Sequence, residues 1–282
     1  MNIEEIKKIE LSMLIELDNI CRKHKINYFL AGGTFLGAIR HKGFIPWDDD
    51  IDVGMLRKDY DVFCEICKTE LNQNMVLQNY LTEPNCGLIF SKIRMKNTVM
   101  SENYSYHINM SQGIWIDIFP FDNIPDNKMK RFFQNKFVFL LKNLYIIKSG
   151  YRNPYVNSKI YCIAYSISKI ITKPISLKYF ISKIEKNVRK YNNQETKYVY
   201  AFGGAYPKKD ILKKQILTNL DEYLFESRYF TACKDYDLYL KHMYGDYMKL
   251  PPKEKRVGGM HTIHEIKILE DKNECSIVNS GR

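Results

Sequence analysis

Asp48, Asp49, Asp50 and Asp52 place four carboxylates within five positions, shortly after the paired glycines Gly32 and Gly33. Four like charges so close repel one another unless a cation sits among them or some stay protonated. A hard divalent ion with oxygen ligands, such as Mg2+, is the economical partner. Alternate residues of a strand share a face, so Asp50 and Asp52 can hold one ion between them. A third carboxylate would then come from a neighbouring strand. Asp117, in the run IWIDIF, is the acid of the N-terminal part that sits within an apolar, strand-like stretch. Burying it unpaired would be costly, which favours a metal role. At a helix start, Gly32-Gly33-Thr34 can bring backbone amides and a hydroxyl against a phosphate. Phosphate on one side and metal on the other describe a phosphoryl-transfer site.

The elements that must position these residues follow from periodicity. Apolar residues at Ile6, Ile9, Met13, Leu14, Leu17 and Ile20 predict a helix over 3–21. A strand at 26–31 leads into the glycine pair, which opens the short helix FLGAIR. Pro46 marks a loop, and DIDVGM alternates as a strand at 50–55. Residues 57–71 read as a helix, with Cys64 and Cys67 on its face, and VLQNY, GLIFSKIRM and GIWIDIF supply further strands. The expected fold class is a mixed α/β (α+β) core with its strands clustered in the first 120 residues.

Charge divides the chain. Residues 1–127 carry 13 Lys/Arg against 18 Asp/Glu, residues 128–190 carry 15 against one (Glu185), and residues 191–282 carry 15 against 13. The middle segment, net +14, thus supplies the whole excess of the +11 chain. It reads as lysine-studded amphipathic helices punctuated by Pro154 and Pro174. The expected organisation is a catalytic core over 1–127, a basic helical region over 128–190, and a C-terminal segment over 191–282 able to fold back on the core. Short strands (YVYAF, LFESRYF) and a last helix precede YGDYMKLPPKEKR in that segment. The N-terminus lacks the apolar core of a signal peptide, no run is long enough to span a bilayer, and seven cysteines follow no scaffold spacing. The expectation is a cytoplasmic protein with reduced thiols.

A glycine pair at a helix start, an acidic pair on the next strand and a third acid resemble the site of nucleotidyltransferase-fold enzymes. More closely, GGTFLGAIRHKGFIPWDDDIDVGM (32–55), GIWIDIFPFD (113–122) and YGDYMKLPPKEKR (244–256) resemble the LicD family of phosphocholine transferases, related to the fukutin-type phosphotransferases. The resemblance implies Mg2+-dependent transfer of a phospho-alcohol from a CDP-activated donor, commonly CDP-choline, to a hydroxyl of a surface glycan, releasing CMP. It implies that Asp50 and Asp52 hold the ion and that Asp117 completes the site or acts as general base on the hydroxyl. Asp48 and Asp49 would be supporting partners. Arg40, and Lys92 and Arg94 alternating on SKIRM, are candidates for holding the donor's phosphates. Tyr104, Tyr106, Trp115 and Phe121 are candidate aromatics for a quaternary ammonium.

Other readings remain beside these. Ethanolamine, glycerol or ribitol phosphate could replace phosphocholine, and a nucleotide-adding enzyme shares the fold. The basic middle is poor in arginine and carries no recognised reading motif, which argues against a nucleic-acid partner. Its lysines can be solvated faces, an acceptor-binding surface, or a dock on an anionic membrane carrying a lipid-linked glycan acceptor. His41, His261 and His264, and Trp47 and Trp115, read as structural residues rather than ligands.

Overall fold

A computed structural model describes residues 2–153, 158–206, 209–256 and 263–269. Pro154, His261 and Cys275 lie outside the described residues. The first helix, α1 (Ile3–His24), is opened by a capping box: the Asn2 side chain accepts from the Glu5 amide while Glu5 accepts from the Asn2 amide. A two-residue strand, β1 (Phe29–Leu30), leads directly into α2 (Gly32–Arg40), so the predicted strand at 26–31 is mostly extended lead-in. There follow β2 (Asp52–Leu56), α3 (Arg57–Glu70), β3 (Met75–Gln78), β4 (Ser91–Met95), β5 (Thr98–Glu102) and the long β6 (Trp115–Ile124). Three helices come next: α4 (Lys128–Lys148), α5 (Lys159–Thr172) and α6 (Leu177–Val188). The chain continues through β7 (Tyr198–Tyr200), β8 (Ile211–Lys213), α7 (Lys214–Thr218), the hairpin β9 (Leu220–Phe225) and β10 (Arg228–Cys233), α8 (Tyr236–Tyr244) and β11 (Ile263–Ile268). The predicted strand LFESRYF is in fact the turn of that hairpin, with Glu226 in the left-handed region.

The architecture is the mixed α/β type implied by the sequence. Its central sheet runs β1-β2-β6-β4-β3, with β7 and β8 continuing it beyond the far half of β6. Only β2 and β6 pair in parallel; every other pairing in that sheet is antiparallel. Alternation along β6 decides what faces what. Ile116 and Ile118 are wholly buried in the main core with Met13, Leu14, Leu17 and Phe63 of α1 and α3. Trp115, Asp117, Phe119 and Phe121 therefore share the opposite face.

A second core joins the basic helices to the sheet. Val138, Leu141 and Tyr145 of α4 and Phe180, Ile184 and Val188 of α6 pack with Ile124, Tyr200 and Phe202. Arg57 at the start of α3 pairs with Asp122 of β6 through two hydrogen bonds of 2.8 and 2.7 Å, both side chains buried. No helix among the described residues is long and apolar enough to cross a membrane.

Candidate active site

The acidic strand and the glycine helix are clamped together by one backbone hydrogen bond and one to the Thr34 side chain. Ala31 donates its amide to the Asp52 carbonyl at 2.9 Å, and the Asp52 amide donates to the Thr34 hydroxyl at 2.8 Å. Thr34 thus fixes β2 against α2 rather than facing outward. Gly32, at φ +52°, occupies the left-handed region, and a Cβ there would stand 2.7 Å from Asp52 Oδ2. A Cβ on Gly33 would stand 2.6 Å from Asp48 Oδ2. The glycine pair is what lets two carboxylates reach the start of α2, where helix amides favour anions.

Register then lines up three charged residues across the sheet. In the parallel β2–β6 pair Asp52 lies opposite Asp117, and in the antiparallel β6–β4 pair Asp117 lies opposite Lys92. The Lys92 ammonium contacts Asp117 Oδ1 at 2.8 Å, the two side chains being 4% and 9% exposed. Lys92 also sits 4.1 Å from the centre of the Trp115 ring, a cation–π arrangement. The backbone joins in: Asp117 donates its amide to the Ile51 carbonyl at 2.8 Å.

This face floors a cavity of about 390 Å³. Gly32, Gly33, Asp48, Asp50, Asp52 and Asp117 line one side of it, and Phe90, Phe119 and Phe121 continue the sheet's contribution. The other wall comes from the C-terminal segment: Gly203, Gly204, Tyr206 and Asp210, with Tyr239, Met243 and Tyr244 from α8. Asp210 is buried and accepts from the Tyr206 amide at 2.9 Å. Burial pushes its carboxyl up to about 6, against the opposing influence of the Tyr206 amide, Lys142 and Lys209. The Tyr206 hydroxyl is raised by burial and by the charges of Asp52, Asp210, Asp50 and Asp48. Tyr244 is raised by burial, Tyr239, Asp52, Tyr206 and Asp48. Tyr239 accepts the Gly32 amide on its hydroxyl at 3.0 Å and so holds α8 to the glycine pair.

Of the sequence-predicted residues, Gly32, Gly33, Asp48, Asp50, Asp52, Asp117 and Phe121 meet at this cavity, while Asp49 is not on its wall. Lys92 reaches it only through Asp117. Arg94 is buried beyond it, donating to Gln78 Oε1 at 2.6 Å and to the Gly113 carbonyl at 2.7 Å. Arg40 points to the closing segment and donates to the Tyr247 carbonyl at 2.7 Å and to His41 Nε2 at 2.9 Å. Tyr104 pairs with Tyr151 and Glu102, Tyr106 stacks on His264 at 3.8 Å, and Trp115 is buried under Lys92 and Arg94. The sequence reading missed Tyr206, Asp210, Tyr239 and Tyr244. Two signals could have found them: a second paired glycine, Gly203-Gly204, followed by an acid, and Tyr244 opening the third family-like block.

The donor set can be weighed for a metal. Among the described residues no three His, Cys, Asp or Glu side chains form a metal-holding group. Mg2+ takes one or two carboxylates and fills its octahedron with waters and substrate phosphates, so a protein cage is not its requirement. Asp50 and Asp52 fit that pattern. Asp117 already faces an ammonium, which suits it less to be a third ligand.

A sheet face of paired acids beside a glycine-opened helix fits the class of nucleotidyltransferase-fold phosphotransferases. Residues 25–148 match the family described as LicD/FKTN/FKRP, nucleotidyltransferase domain. The chain is 31% identical to the lipopolysaccharide cholinephosphotransferase LicD of Haemophilus influenzae over 286 aligned positions, covering 95% of this chain and 99% of that one. A shorter stretch of 34 residues, 12% of this chain, is 50% identical to the human ribitol 5-phosphate transferase FKRP, covering 7% of that protein. The chain belongs to the LicD family, and it is a transferase.

One consequence for stability arises from Asp210. Its folded-state carboxyl titrates at about 6 instead of the ordinary 3.8. Between those values the folded chain keeps a proton that the unfolded chain has lost. The contribution to stability is therefore full below the lower value and lost as pH rises through about 6. By neutral pH the cost reaches about 3 kcal/mol. Asp210→Asn is expected to raise stability above wild type by up to that amount at neutral pH, with the advantage gone in acid. Urea unfolding across the pH range checks it; an advantage independent of pH would refute it.

Proposed function

We propose that this enzyme transfers phosphocholine from CDP-choline to a hydroxyl of a glycan acceptor, with Mg2+ bound, in the cytoplasm. The observation that carries the choice of head group is the composition of the cavity wall. Among the described residues it holds five aspartates and six aromatic rings, with no lysine, arginine, histidine, amide or Ser/Thr hydroxyl. Such a wall suits cations, a metal at one end and a quaternary ammonium against Tyr206, Tyr244 and Asp210 at the other. A polyol head group would find tyrosine hydroxyls and carboxylates, but no side-chain amides to receive it.

The roles follow from position. The start of α2 receives a phosphate of the donor on its amides. Asp50 and Asp52 would hold Mg2+, which when bound offsets charge on the leaving phosphate. Asp117 takes the proton of the acceptor hydroxyl as its oxygen attacks the phosphorus distal to cytidine. The bond between the two phosphates breaks and CMP leaves. Lys92, ion-paired to Asp117, holds its carboxylate in place. Rings on both walls exclude water, which favours transfer over hydrolysis.

The test is CMP release with Mg2+ and a crude glycan acceptor, across CDP-choline, CDP-ethanolamine, CDP-glycerol and CDP-ribitol. The expected result is preference for CDP-choline, narrowed in Asp210→Asn. A preference for CDP-ribitol or CDP-glycerol would overturn the head-group assignment and leave the transferase class standing.

A further inference from the structure

Helix α5 turns almost nothing inward: of its fourteen residues Thr172 is the buried one. Ile160, Ile163, Ile167, Ile170 and Ile171 recur at i, i+3, i+7, i+10 and i+11, one stripe about a hundred degrees wide. These isoleucines are 51–79% exposed, so the apolar stripe of an amphipathic helix faces solvent instead of a core. The neighbouring α4, which packs against α5, buries Val138, Leu141 and Tyr145 on one side and exposes Phe132, Phe133 and Phe139 on the other. Soluble monomers seldom leave large apolar patches uncovered. Around it lies the one stretch of the chain with 15 Lys/Arg and a single acid.

From the exposed stripe and its basic surround we infer that the α4–α5 face docks on an anionic lipid bilayer. Isoleucine and phenylalanine side chains enter the boundary between head groups and acyl chains, and the lysines meet lipid phosphates. Charge selects this occupant over a second copy of the chain, because two such faces would bring net positive segments together. The face is tied to the cavity: Lys142 of α4 donates to the Phe202 carbonyl at 3.3 Å, and the next two residues, Gly203 and Gly204, line the cavity wall. Docking would bring that wall near the membrane, where a lipid-linked glycan can offer its hydroxyl. This last consequence rests on the proposed transfer reaction; the docking itself does not.

The test uses the full chain and co-sedimentation with vesicles of equal parts phosphatidylglycerol and phosphatidylcholine, against phosphatidylcholine alone, at low and high salt. Wild type is expected to bind the anionic vesicles and to be released by salt. The triple variant Ile163→Ser, Ile167→Ser, Ile170→Ser changes exposed side chains only, and is expected to bind about tenfold or more weakly with unchanged thermal unfolding. No wild-type binding at low salt would overturn the inference, as would full binding by the triple variant. So would a wild-type dimer that the three serines split into monomers, since a second copy would then cover the face. CMP release measured without vesicles separates this outcome from failure of the transferase reading.

Discussion

Asp52→Asn is expected to lower CMP release by about a thousandfold while leaving the fold in place. The substitution is nearly isosteric, so the carbonyl and amide that tie Asp52 to Ala31 and Thr34 remain. What changes is charge. A carboxamide is a weak ligand for a hard divalent cation, and the remaining acids cannot regain the position opposite Asp117 that parallel pairing gives Asp52. Asp49→Asn is the internal contrast: Asp49 is off the cavity wall, and its loss should change the rate only a few-fold, as for a supporting partner. CMP release and thermal unfolding, measured together on both variants, decide the matter. A folded Asp52→Asn enzyme with near wild-type turnover would remove Asp52 from the chemistry.

The acids of this site were legible because local rules place them. Alternation over the predicted strand put Asp50 with Asp52, and both line the cavity although β2 itself begins at Asp52; an acid inside IWIDIF has to be facing something. That Asp52 and Asp117 stand side by side is a matter of register between strands whose first paired positions are 65 residues apart, which no local pattern encodes. Long basic side chains were the least legible. Lys92 and Arg94 do share a face, as alternation requires, yet one turns to Asp117 and the other to Gln78 and Gly113, partners chosen by tertiary packing. Arg40, at the far end of the helix that the glycine pair opens, finds a carbonyl of the closing segment more than 200 residues away. The tyrosines of the wall were missed for a related reason: proximity in sequence to the acids pointed to Phe121, which is there, but also to Tyr104 and Tyr106, whereas α8 and the loop at 203–206 supply Tyr206, Tyr239 and Tyr244 from the far end of the chain.

Lys92→Met should destabilise the enzyme by about 3–5 kcal/mol. Methionine keeps the length and apolar stem of lysine, so packing against the Trp115 ring is largely retained. The loss is the ammonium, 2.8 Å from a carboxylate that is itself only 9% exposed. Removing one partner of a buried pair leaves the other charge without its nearest counterion, and that cost exceeds the net worth of the intact pair. The companion change Asp117→Asn removes the stranded charge. The double variant should therefore recover most of the stability lost in Lys92→Met, a positive coupling in a double-mutant cycle. Activity should not follow stability. If Asp117 takes the acceptor's proton, the double variant remains inactive although folded, whereas a purely structural pair would return activity together with stability. Urea unfolding and CMP release on all four proteins of the cycle separate the two cases, and a cost under about 1 kcal/mol for Lys92→Met, the range of exposed pairs, would show that solvent rather than lysine compensates Asp117.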